Sequence, residues 1–378
     1  MVTLGSVVLG VLALFANQAS CFYEDFDQSA IAFSKSSSTH PGPNDFVVSK
    51  KPIPGLITYQ TIKAATEAIW QKGSMQWLMQ TDFAGVYEET LFFNRSGITV
   101  FRGYTDFPDD PTRNQVVIRN DIAVNTQEGD RPNSESATFH SRADYLRMYN
   151  IDLTNVYGKT RDYASLGFAI GHRGYAGFYG CSILGNQDTL DLNSQTNVFI
   201  YNSIVSGSID FIWGSGSGYF LNSTIVPNTA KGAITAHKRL SGNAPGGLVF
   251  DKCQVRAEPG VPAASVFLGR PYSQFARVLF IASYLDASID PAGWTIWSPS
   301  SPQTQHVLFG EYQNYGPGAG TRSTRAPFSQ EMTVRHLAAF QLERFFKAHG
   351  ISWINVSQLK VPPFNTRKPG TLVPIERD

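Results

Sequence analysis

The sequence predicts an all-β protein, folded as a single-stranded parallel β-helix in which short strands stack turn upon turn. The first observation is composition: charged residues make up 16% of the 378 residues, against about 25% in an average soluble protein, and glycine occurs 33 times. The second is that short β-type runs, separated by Gly, Asn and Pro, fill most of the chain. The third is that several runs resemble one another at a loose period of about 20–30 residues, which is typical of a solenoid.

These recurring runs define the expected turns of the solenoid. Each combines aliphatic residues with Asn, Ser or Cys at positions that would stack from one turn to the next. A β-sandwich also contains short strands, but it does not repeat this register. The runs are YNIDLTN from Tyr149, YGCSILGN from Tyr179, YNSIVSGS from Tyr201, FLNSTIVPN from Phe220 and FDKCQVRAE from Phe250.

Two short helices are expected near the termini, where they would cap the open ends of the solenoid. The run TYQTIKAATEAIWQ at residues 58–71 has apolar residues at helical spacing and starts with a threonine. The run SQEMTVRHLAAFQLERFFKAH at residues 329–349 shows the same spacing and predicts a second helix.

The N-terminus has the pattern of a signal peptide over residues 1–20. Val7–Ala16 form a short apolar core, which small and polar residues follow and which is too short to span a membrane. Three N-x-S/T sequons, at Asn94, Asn222 and Asn355, are compatible with secretion. We therefore predict a secreted protein, in which a polar entry at about 28–55 leads into one domain extending over 28–375.

Charge and cysteine content exclude several kinds of partner. A formal net charge of +1, with no lysine or arginine run, predicts no nucleic-acid and no membrane binding. Neither the three cysteines nor the seven histidines show metal-ligand spacing, so we expect no metal and no cofactor. Cys21 lies beside the predicted signal cleavage point. Cys181 and Cys253 are about three turns apart, roughly 14 Å and beyond disulfide reach, so both are expected to be buried free thiols of a monomer.

Two aspartates occur in matching settings within the repeats. Asp188 and Asp210 are 22 residues apart, the same offset as between Tyr179 and Tyr201. They should therefore lie on adjacent turns, roughly 5 Å apart at the backbone. Two carboxyl groups this close cannot both ionise freely, so one pKa rises, and the pair suits acid–base or nucleophilic chemistry. The alternative is a pair of ordinary surface turn aspartates, but the shared register favours a functional pair.

Six motifs in order resemble the pectin methylesterases, or pectinesterases. In chain order they are GVYEE at 85–89, LGNQDTL at 184–190, GSIDFIWG at 207–214, LGRPY at 268–272, PAGWTIW at 291–297 and GEYQNYGPGA at 310–319. The resemblance extends from about residue 55 to 355 and, with the short N-terminal leader, favours a secreted, fungal-like form. It implies a right-handed parallel β-helix that hydrolyses methyl esters of homogalacturonan, the backbone of pectin, without metal or cofactor.

The resemblance also implies roles for four residues. Asp210 resembles the nucleophile and Asp188 the general acid and base. Arg270 resembles the arginine that pairs with the nucleophile and keeps it ionised. Gln187 resembles the amide donor that stabilises the oxyanion.

Aromatic residues are expected to line a sugar-binding cleft, because sugar rings stack on flat apolar faces. Trp213, Tyr272 and Trp294 are the candidates, with a place in the core as the alternative for each. Four positions depart from the family pattern. Tyr272 replaces a tryptophan, Asp191 a tyrosine and His237 a glutamine, and a second oxyanion-hole glutamine is replaced by Ser165 or Leu166.

Three other functions remain open at this point. A calcium-dependent lyase would need a cluster of acidic ligands, which no motif offers. A glycoside hydrolase also uses paired carboxyl groups, and would release new reducing ends instead of methanol. A non-catalytic or weakly active pectin-binding homologue would use the aromatic cleft alone. The complete set of Asp188, Asp210 and Arg270 favours the esterase.

Overall fold

The computed structural model describes residues 45–71, 77–81, 84–125, 131–171 and 173–367, with backbone alone for 77–81. The predicted signal peptide and Cys21 lie outside the described residues. Strands dominate the described chain, and none of its helices combines the length and hydropathy that a membrane span requires.

Twenty-seven short strands, numbered in chain order, are assigned in the described residues. They are β1 Phe46–Val48, β2 Thr58–Tyr59, β3 Trp77–Thr81, β4 Gly85–Glu88, β5 Leu91–Phe93, β6 Ile98–Gly103, β7 Val116–Asn120, β8 Phe139–Ser141, β9 Tyr145–Tyr149, β10 Ile151–Asn155, β11 Phe168–Ile170, β12 Tyr175–Tyr179, β13 Ser182–Leu184, β14 Leu190–Leu192, β15 Asn197–Tyr201, β16 Ile204–Gly207, β17 Ile212–Gly214, β18 Ser217–Leu221, β19 Thr224–Pro227, β20 Ala233–His237, β21 Gly247–Asp251, β22 Gln254–Val255, β23 Phe267–Pro271, β24 Arg277–Ile281, β25 Tyr284–Leu285, β26 Leu308–Tyr312 and β27 Ser329–Glu331.

The strands form three parallel sheets that run side by side along the solenoid. The twelve-stranded sheet has the order β2-β1-β3-β6-β9-β12-β15-β18-β21-β24-β26-β27. The eight-stranded sheet has the order β25-β22-β19-β16-β13-β10-β7-β4, and the seven-stranded sheet has the order β23-β20-β17-β14-β11-β8-β5. Each full turn contributes one strand to each sheet, which confirms the predicted parallel β-helix.

The register of the turns agrees with the predicted repeat at three starts and differs at two. In the twelve-stranded sheet, Tyr179 pairs directly with Tyr149 on one neighbouring strand and with Tyr201 on the other. The next two turns place Leu221 and Asp251 at this position, so the predicted starts at Phe220 and Phe250 are one residue early. The error arose because the other predicted runs start with an aromatic residue, and Phe220 and Phe250 lie one position before the aligned one. These two rings stack on each other in the core, with ring centroids 4.5 Å apart.

The interior is packed by aliphatic and aromatic side chains from all three sheets. Cys181 and Cys253 are both buried free thiols, as predicted. Each occupies the same turn position as Ser203 and Ser223, and these hydroxyls accept backbone hydrogen bonds from the preceding turn at 3.0–3.2 Å. The cysteines therefore belong to a buried stack of small side chains.

The first predicted helix is present but begins later than expected. Helix α1 spans Ile62–Trp70, while residues 58–59 form β2. Thr61 caps the helix by accepting a hydrogen bond from the Ala64 amide, and the Glu89 carboxylate accepts from two further first-turn amides at 2.8 Å. A threonine does begin the helix, as predicted, but the N-cap residue is Thr61 and not Thr58. The helix buries its apolar face on the N-terminal part of the core.

The second predicted helix, over 329–349, is not one helix. Residues 329–331 form β27, and only α2 (Val334–Leu337) and α3 (Leu342–Phe345) are α-helical. Gln341 separates them because its backbone is extended, with φ −63° and ψ 144°. The apolar side chains of this region, such as Phe346, pack on the outer face of the twelve-stranded sheet. Helical spacing was thus present, but tertiary packing divides the segment.

The segment that follows crosses the same outer face and is held by stacked tyrosines. The Asn355 side-chain amide donates to the Tyr149 hydroxyl at 2.8 Å, and the Lys360 backbone amide donates to the Tyr201 hydroxyl at 2.7 Å. Asn355 is buried, so this sequon offers no accessible amide for glycosylation in the folded protein. Asn94, by contrast, is exposed.

Candidate active site

Asp188 and Asp210 lie at the same corner of two successive turns. Each immediately precedes the segment that enters the seven-stranded sheet, where β14 pairs with β17. Both have positive φ, 63° and 51°, a conformation that Asp and Asn adopt more readily than most residues. Only 8% of Asp188 and 7% of Asp210 is exposed. The sequence offset therefore gave the correct neighbouring turns.

Arg270 reaches the pair from two turns further along the solenoid. Trp213, Ala236 and Arg270 are in register on β17, β20 and β23. The guanidinium donates to both carboxylate oxygens of Asp210, from Nε at 2.8 Å and from Nη2 at 2.6 Å. This bidentate geometry orients the carboxylate as well as compensating its charge.

The environment separates the acidities of the two carboxyl groups. Burial raises the pKa of Asp188 well above its ordinary value, and the negative charge of Asp210 raises it further. Burial also raises the pKa of Asp210, but the hydrogen bonds and charge of Arg270 oppose that rise. Arg270 thus favours the ionised form of Asp210, while burial and the charge of Asp210 favour the protonated form of Asp188.

Two further side chains hold Asp188 in place. The Asn133 amide donates to Asp188 Oδ2 at 2.5 Å from the short 3₁₀ helix Asn133–Ser136. The indole nitrogen of Trp213 donates to the Asp188 backbone carbonyl at 3.1 Å. Asn133 was not identified from the sequence, because it lies outside every motif and reaches the site only through tertiary structure.

Aromatic rings form one side of the site. Tyr272 stacks on Trp297 with ring centroids 4.7 Å apart, and Trp213 lies 6.5 Å from Tyr272. The Arg270 guanidinium lies over the Trp297 ring at 4.4 Å, and Lys238 Nζ lies 4.5 Å from the Tyr272 ring. All three rings are half-buried, so they combine apolar faces with access from outside.

Comparisons with known proteins agree with this arrangement. The family model described as Pectinesterase matches residues 45–349. The chain is 33% identical over 257 residues to a pectinesterase of Aspergillus aculeatus, covering 66% of this chain and 76% of that protein. It is 35% identical over 269 residues to pectinesterase A of Emericella nidulans, covering 71% and 78%. The chain belongs to the pectinesterase family.

Solved structures of this family share the fold. The pectin methylesterase of Aspergillus niger matches with a TM-score of 0.69 and 30% identity, covering 79% of this chain and 93% of that one. The carrot pectin methylesterase also gives a TM-score of 0.69, at 24% identity, over 86% and 99%. These proteins are right-handed parallel β-helices, which confirms the predicted fold class. Pectinesterases are carboxylic ester hydrolases, so the protein is an enzyme of that class.

Trp294, predicted to bind substrate, lies in the core instead. Only 1% of it is exposed, and its ring stacks on Phe309 with centroids 4.4 Å apart. Its indole nitrogen donates to Glu311 Oε1 at 3.1 Å. The tryptophan that faces the site is Trp297, three residues later in the same PAGWTIW motif. The motif located the right segment, but it did not distinguish the two tryptophans.

The two positions that the resemblance assigns to an oxyanion hole carry different side chains. Gln187 is half-buried beside Asp188, and its carbonyl accepts a hydrogen bond from the Ser165 amide at 3.0 Å. The position of the second glutamine offers no accessible side-chain donor. Ser165 and Leu166 are both fully buried, and the Ser165 hydroxyl has no partner in the described part of the chain.

The other two departures from the family pattern differ in character. His237 is fully buried: its Nδ1 accepts from the Arg277 amide at 3.1 Å, and Nε2 faces the Gly216 carbonyl at 3.2 Å. Burial lowers the pKa of His237 to about 3, so this imidazole is neutral and structural. Asp191 is buried on the face that bears Trp213. Within the described residues, no three His, Cys, Asp or Glu side chains are grouped to hold a metal ion.

Proposed function

We propose that the protein is a pectin methylesterase, which hydrolyses the methyl esters of homogalacturonan to pectate and methanol. The observation that carries this proposal is the bidentate Arg270–Asp210 pair beside the buried Asp188 on the neighbouring turn. It provides one ionised and one protonated carboxyl group in a site that excludes most water. Membership of the pectinesterase family supports the choice of substrate.

In the first step, Asp210 attacks the C6 carbonyl carbon of a methyl-galacturonate. Arg270 holds the carboxylate oxygens in a fixed orientation and keeps them ionised without removing their nucleophilic lone pairs. The carbonyl oxygen becomes an oxyanion. The half-buried Gln187 amide beside Asp188 is the proposed donor to this oxyanion.

In the second step, the tetrahedral intermediate collapses and the C6–OCH₃ bond breaks. Asp188 gives its proton to the departing methoxy oxygen, so methanol leaves as a neutral molecule. An acyl-enzyme remains, in which C6 is joined to Asp210 as an anhydride. The hydrogen bond from Asn133 holds the Asp188 carboxyl group for this transfer.

In the third step, water hydrolyses the acyl-enzyme. Ionised Asp188 takes a proton from the attacking water, and the new C–O bond releases the Asp210 carboxylate and the free galacturonic acid. The starting protonation states are then restored, and the sum of the steps is ester plus water giving acid plus methanol. No step requires a metal or a cofactor.

Substrate binding is assigned to the half-buried rings. Trp213, Tyr272 and Trp297 offer flat faces to sugar rings next to the reacting carboxyl groups. We further propose that residues 1–20 direct secretion, which would bring the enzyme to an extracellular substrate, and that the domain of residues 28–375 acts as a monomer.

Methanol release tests the proposed function. Wild-type protein should release methanol from highly methylated pectin, including in the presence of a chelator. Asp188→Asn should lose most of this activity because it has neither a proton to give nor a base to accept one. Hydrolysis of p-nitrophenyl acetate serves as a control for unspecific ester cleavage.

The assay also separates the alternatives. New reducing ends without methanol would indicate a glycoside hydrolase. Pectin binding in a pull-down without release of methanol would indicate a non-catalytic homologue. Activity that a chelator removes and calcium or zinc restores would contradict the metal-free mechanism.

A further inference from the structure

One row of side chains crosses the outer face of the seven-stranded sheet and leads to Arg270. Consecutive register pairs define this row, which we call the site column. It consists of Phe92, His140, Ala169, Asp191, Trp213, Ala236 and Arg270. Along β14, Leu190 and Leu192 belong to the core, so Asp191 between them points to the opposite face. Asp191 thus adjoins Trp213 and lies three residues after Asp188.

The carboxyl group of Asp191 is buried without a compensating partner. Only 4% of Asp191 is exposed, and it forms no hydrogen bond or ion pair with any residue in the described part of the chain. Its neighbours in the site column, Ala169 and Trp213, carry no charge. An unpaired buried carboxyl group costs stability. A purely structural role therefore does not account for this residue.

Among the described residues, no cationic side chain forms an ion pair with Asp191. Asp188 and Asp210 are acidic, and Arg270 is engaged by Asp210 through two hydrogen bonds. His140 stands two turns earlier in the site column, where it packs edge-on against the Phe92 ring.

The remaining charged groups are on flanking segments. In the segment that carries Asn133, Arg131 and Glu135 form a pair with each other. Lys238, which directly follows β20, lies over Tyr272 on the far side of Trp213. Burial raises the pKa of Asp191 to about 7, so its charge appears near neutral pH.

We propose that Asp191 is a specificity-determining residue, which makes the site favour an esterified sugar over a free galacturonate at the position above β14. The proposal rests on the proposed pectin methylesterase function. A methyl-galacturonate and a galacturonate differ little in shape, so charge is the property that can distinguish them. An ionised Asp191 repels a substrate carboxylate in a poorly solvated site, whereas it leaves a methyl ester unaffected.

This charge is placed asymmetrically along the site. A free carboxylate on the Tyr272 side meets Lys238, which attracts it, while one on the Asp191 side is repelled. A partly esterified pectin would accordingly bind with its esterified sugars toward β14. Product carboxylates would be accommodated toward β23.

The test compares two substrates that differ in the charge of their neighbouring sugars. For methanol release, kcat/KM per mole of ester is measured on highly methylated pectin and on the same pectin after random partial demethylation by alkali. The selectivity ratio is the first value divided by the second. The ionisation of Asp188 and Asp210 affects the rate on both substrates equally, so its effect divides out of the ratio. In wild-type protein the ratio should rise about three- to tenfold between about pH 6 and pH 8 as Asp191 ionises.

Asp191→Asn should lower the ratio at the higher pH to its low-pH value and make it independent of pH. Asp191→Ser provides a second neutral variant if the asparagine form fails to fold by circular dichroism. Asp152→Asn is the matched control. Asp152 is also a carboxyl group whose pKa burial raises, but it lies on β10 of the eight-stranded sheet and bonds to Asn114. This control should retain the wild-type ratio and its pH dependence.

The possible outcomes distinguish the two proposals. Wild-type methanol release with a ratio that neither pH nor the Asp191 variants change would overturn the role of Asp191 and leave the esterase intact. The absence of methanol from both substrates would overturn the esterase and, with it, the specificity. The same loss of selectivity in Asp152→Asn would show that the net charge of the protein, and not the position of Asp191, causes the selectivity. This result would also contradict the proposal.

Discussion

Two corners of the solenoid use the same backbone conformation but carry different side chains. At the corner between the twelve-stranded and eight-stranded sheets, seven successive turns place a residue at positive φ. These residues are Asn150, Gly180, Asn202, Asn222, Lys252, Ala282 and Gln313, with φ between 47° and 63°. At the corner that leads into the seven-stranded sheet, Asp188 and Asp210 adopt this conformation too, with φ of 63° and 51°.

The variety at the first corner shows what the conformation alone requires. Five residue types fill it, and at successive turns the backbone amide donates to the carbonyl of the next turn at about the same distance, as Asn150 does to Tyr179 at 3.0 Å. A turn of this kind does not need a carboxyl group. At the second corner the carboxyl groups are buried, which is unfavourable for a charge, and Arg270 compensates only one of them. The turn alone therefore does not account for the aspartates, whereas the proposed catalytic roles would.

The largest expected effect comes from a substitution at Asp210 that keeps the turn conformation but removes the carboxyl group. Asp210→Asn should reduce methanol release by at least about 10³-fold, because an amide cannot form the acyl-enzyme. The fold should persist, since asparagine tolerates positive φ. The reverse change at the first corner, Asn202→Asp, is the matched control and should retain activity. Methanol release and circular dichroism of both variants check this, and a folded, active Asp210→Asn would exclude nucleophilic catalysis by Asp210.

The second prediction concerns the compensation of charge at the same corner. Arg270→Met should lower kcat by about 10²-fold and move the acid limb of the pH–rate profile to higher pH. The arginine favours the ionised carboxylate, so its removal raises the pKa of Asp210 and deprotonation then requires a higher pH. Rates of methanol release across acidic to neutral pH measure the shift. An unchanged acid limb would mean that another group controls it.

The third prediction extends the contrast between chemistry and structure to two tryptophans of one motif. Trp294→Ala should destabilise the protein by about 3–5 kcal/mol, because it removes a large, fully buried ring. Trp297→Ala should leave stability nearly unchanged and raise KM about three- to tenfold, through the loss of ring stacking. Urea unfolding and methanol-release kinetics distinguish the two. Equal destabilisation by both changes would place Trp297 in the core as well.

This pair also shows how far the sequence leads. The repeat and the offset of Asp188 from Asp210 were enough to predict the parallel β-helix and the neighbouring turns. The sequence could not separate Trp294 from Trp297, because the direction of each ring is decided by packing against residues such as Phe309 and Tyr272.

Three-dimensional packing also explains the remaining errors. Asn133 reaches Asp188 from 55 residues away, a contact that no local pattern records. The helical spacing at 329–349 was genuine, but the outer face of the twelve-stranded sheet binds its apolar side chains and divides the segment. Local periodicity predicts an amphipathic face, while the partner of that face decides whether a helix continues.

The smallest expected effect tests whether the first corner is structural alone. Asn202→Gly should change stability little, and Asn202→Ala should cost about 1–2 kcal/mol, because alanine is disfavoured at positive φ. Both variants also lose the hydrogen bond from the Asn202 side chain to the Asp109 carbonyl, so the difference between them isolates the backbone contribution. Methanol release at a temperature where both variants are folded should equal that of the wild type. A selective loss of activity in either variant would show that the two corners are coupled, because a turn that serves only the backbone has no route by which to alter the ionisation of Asp188 or Asp210.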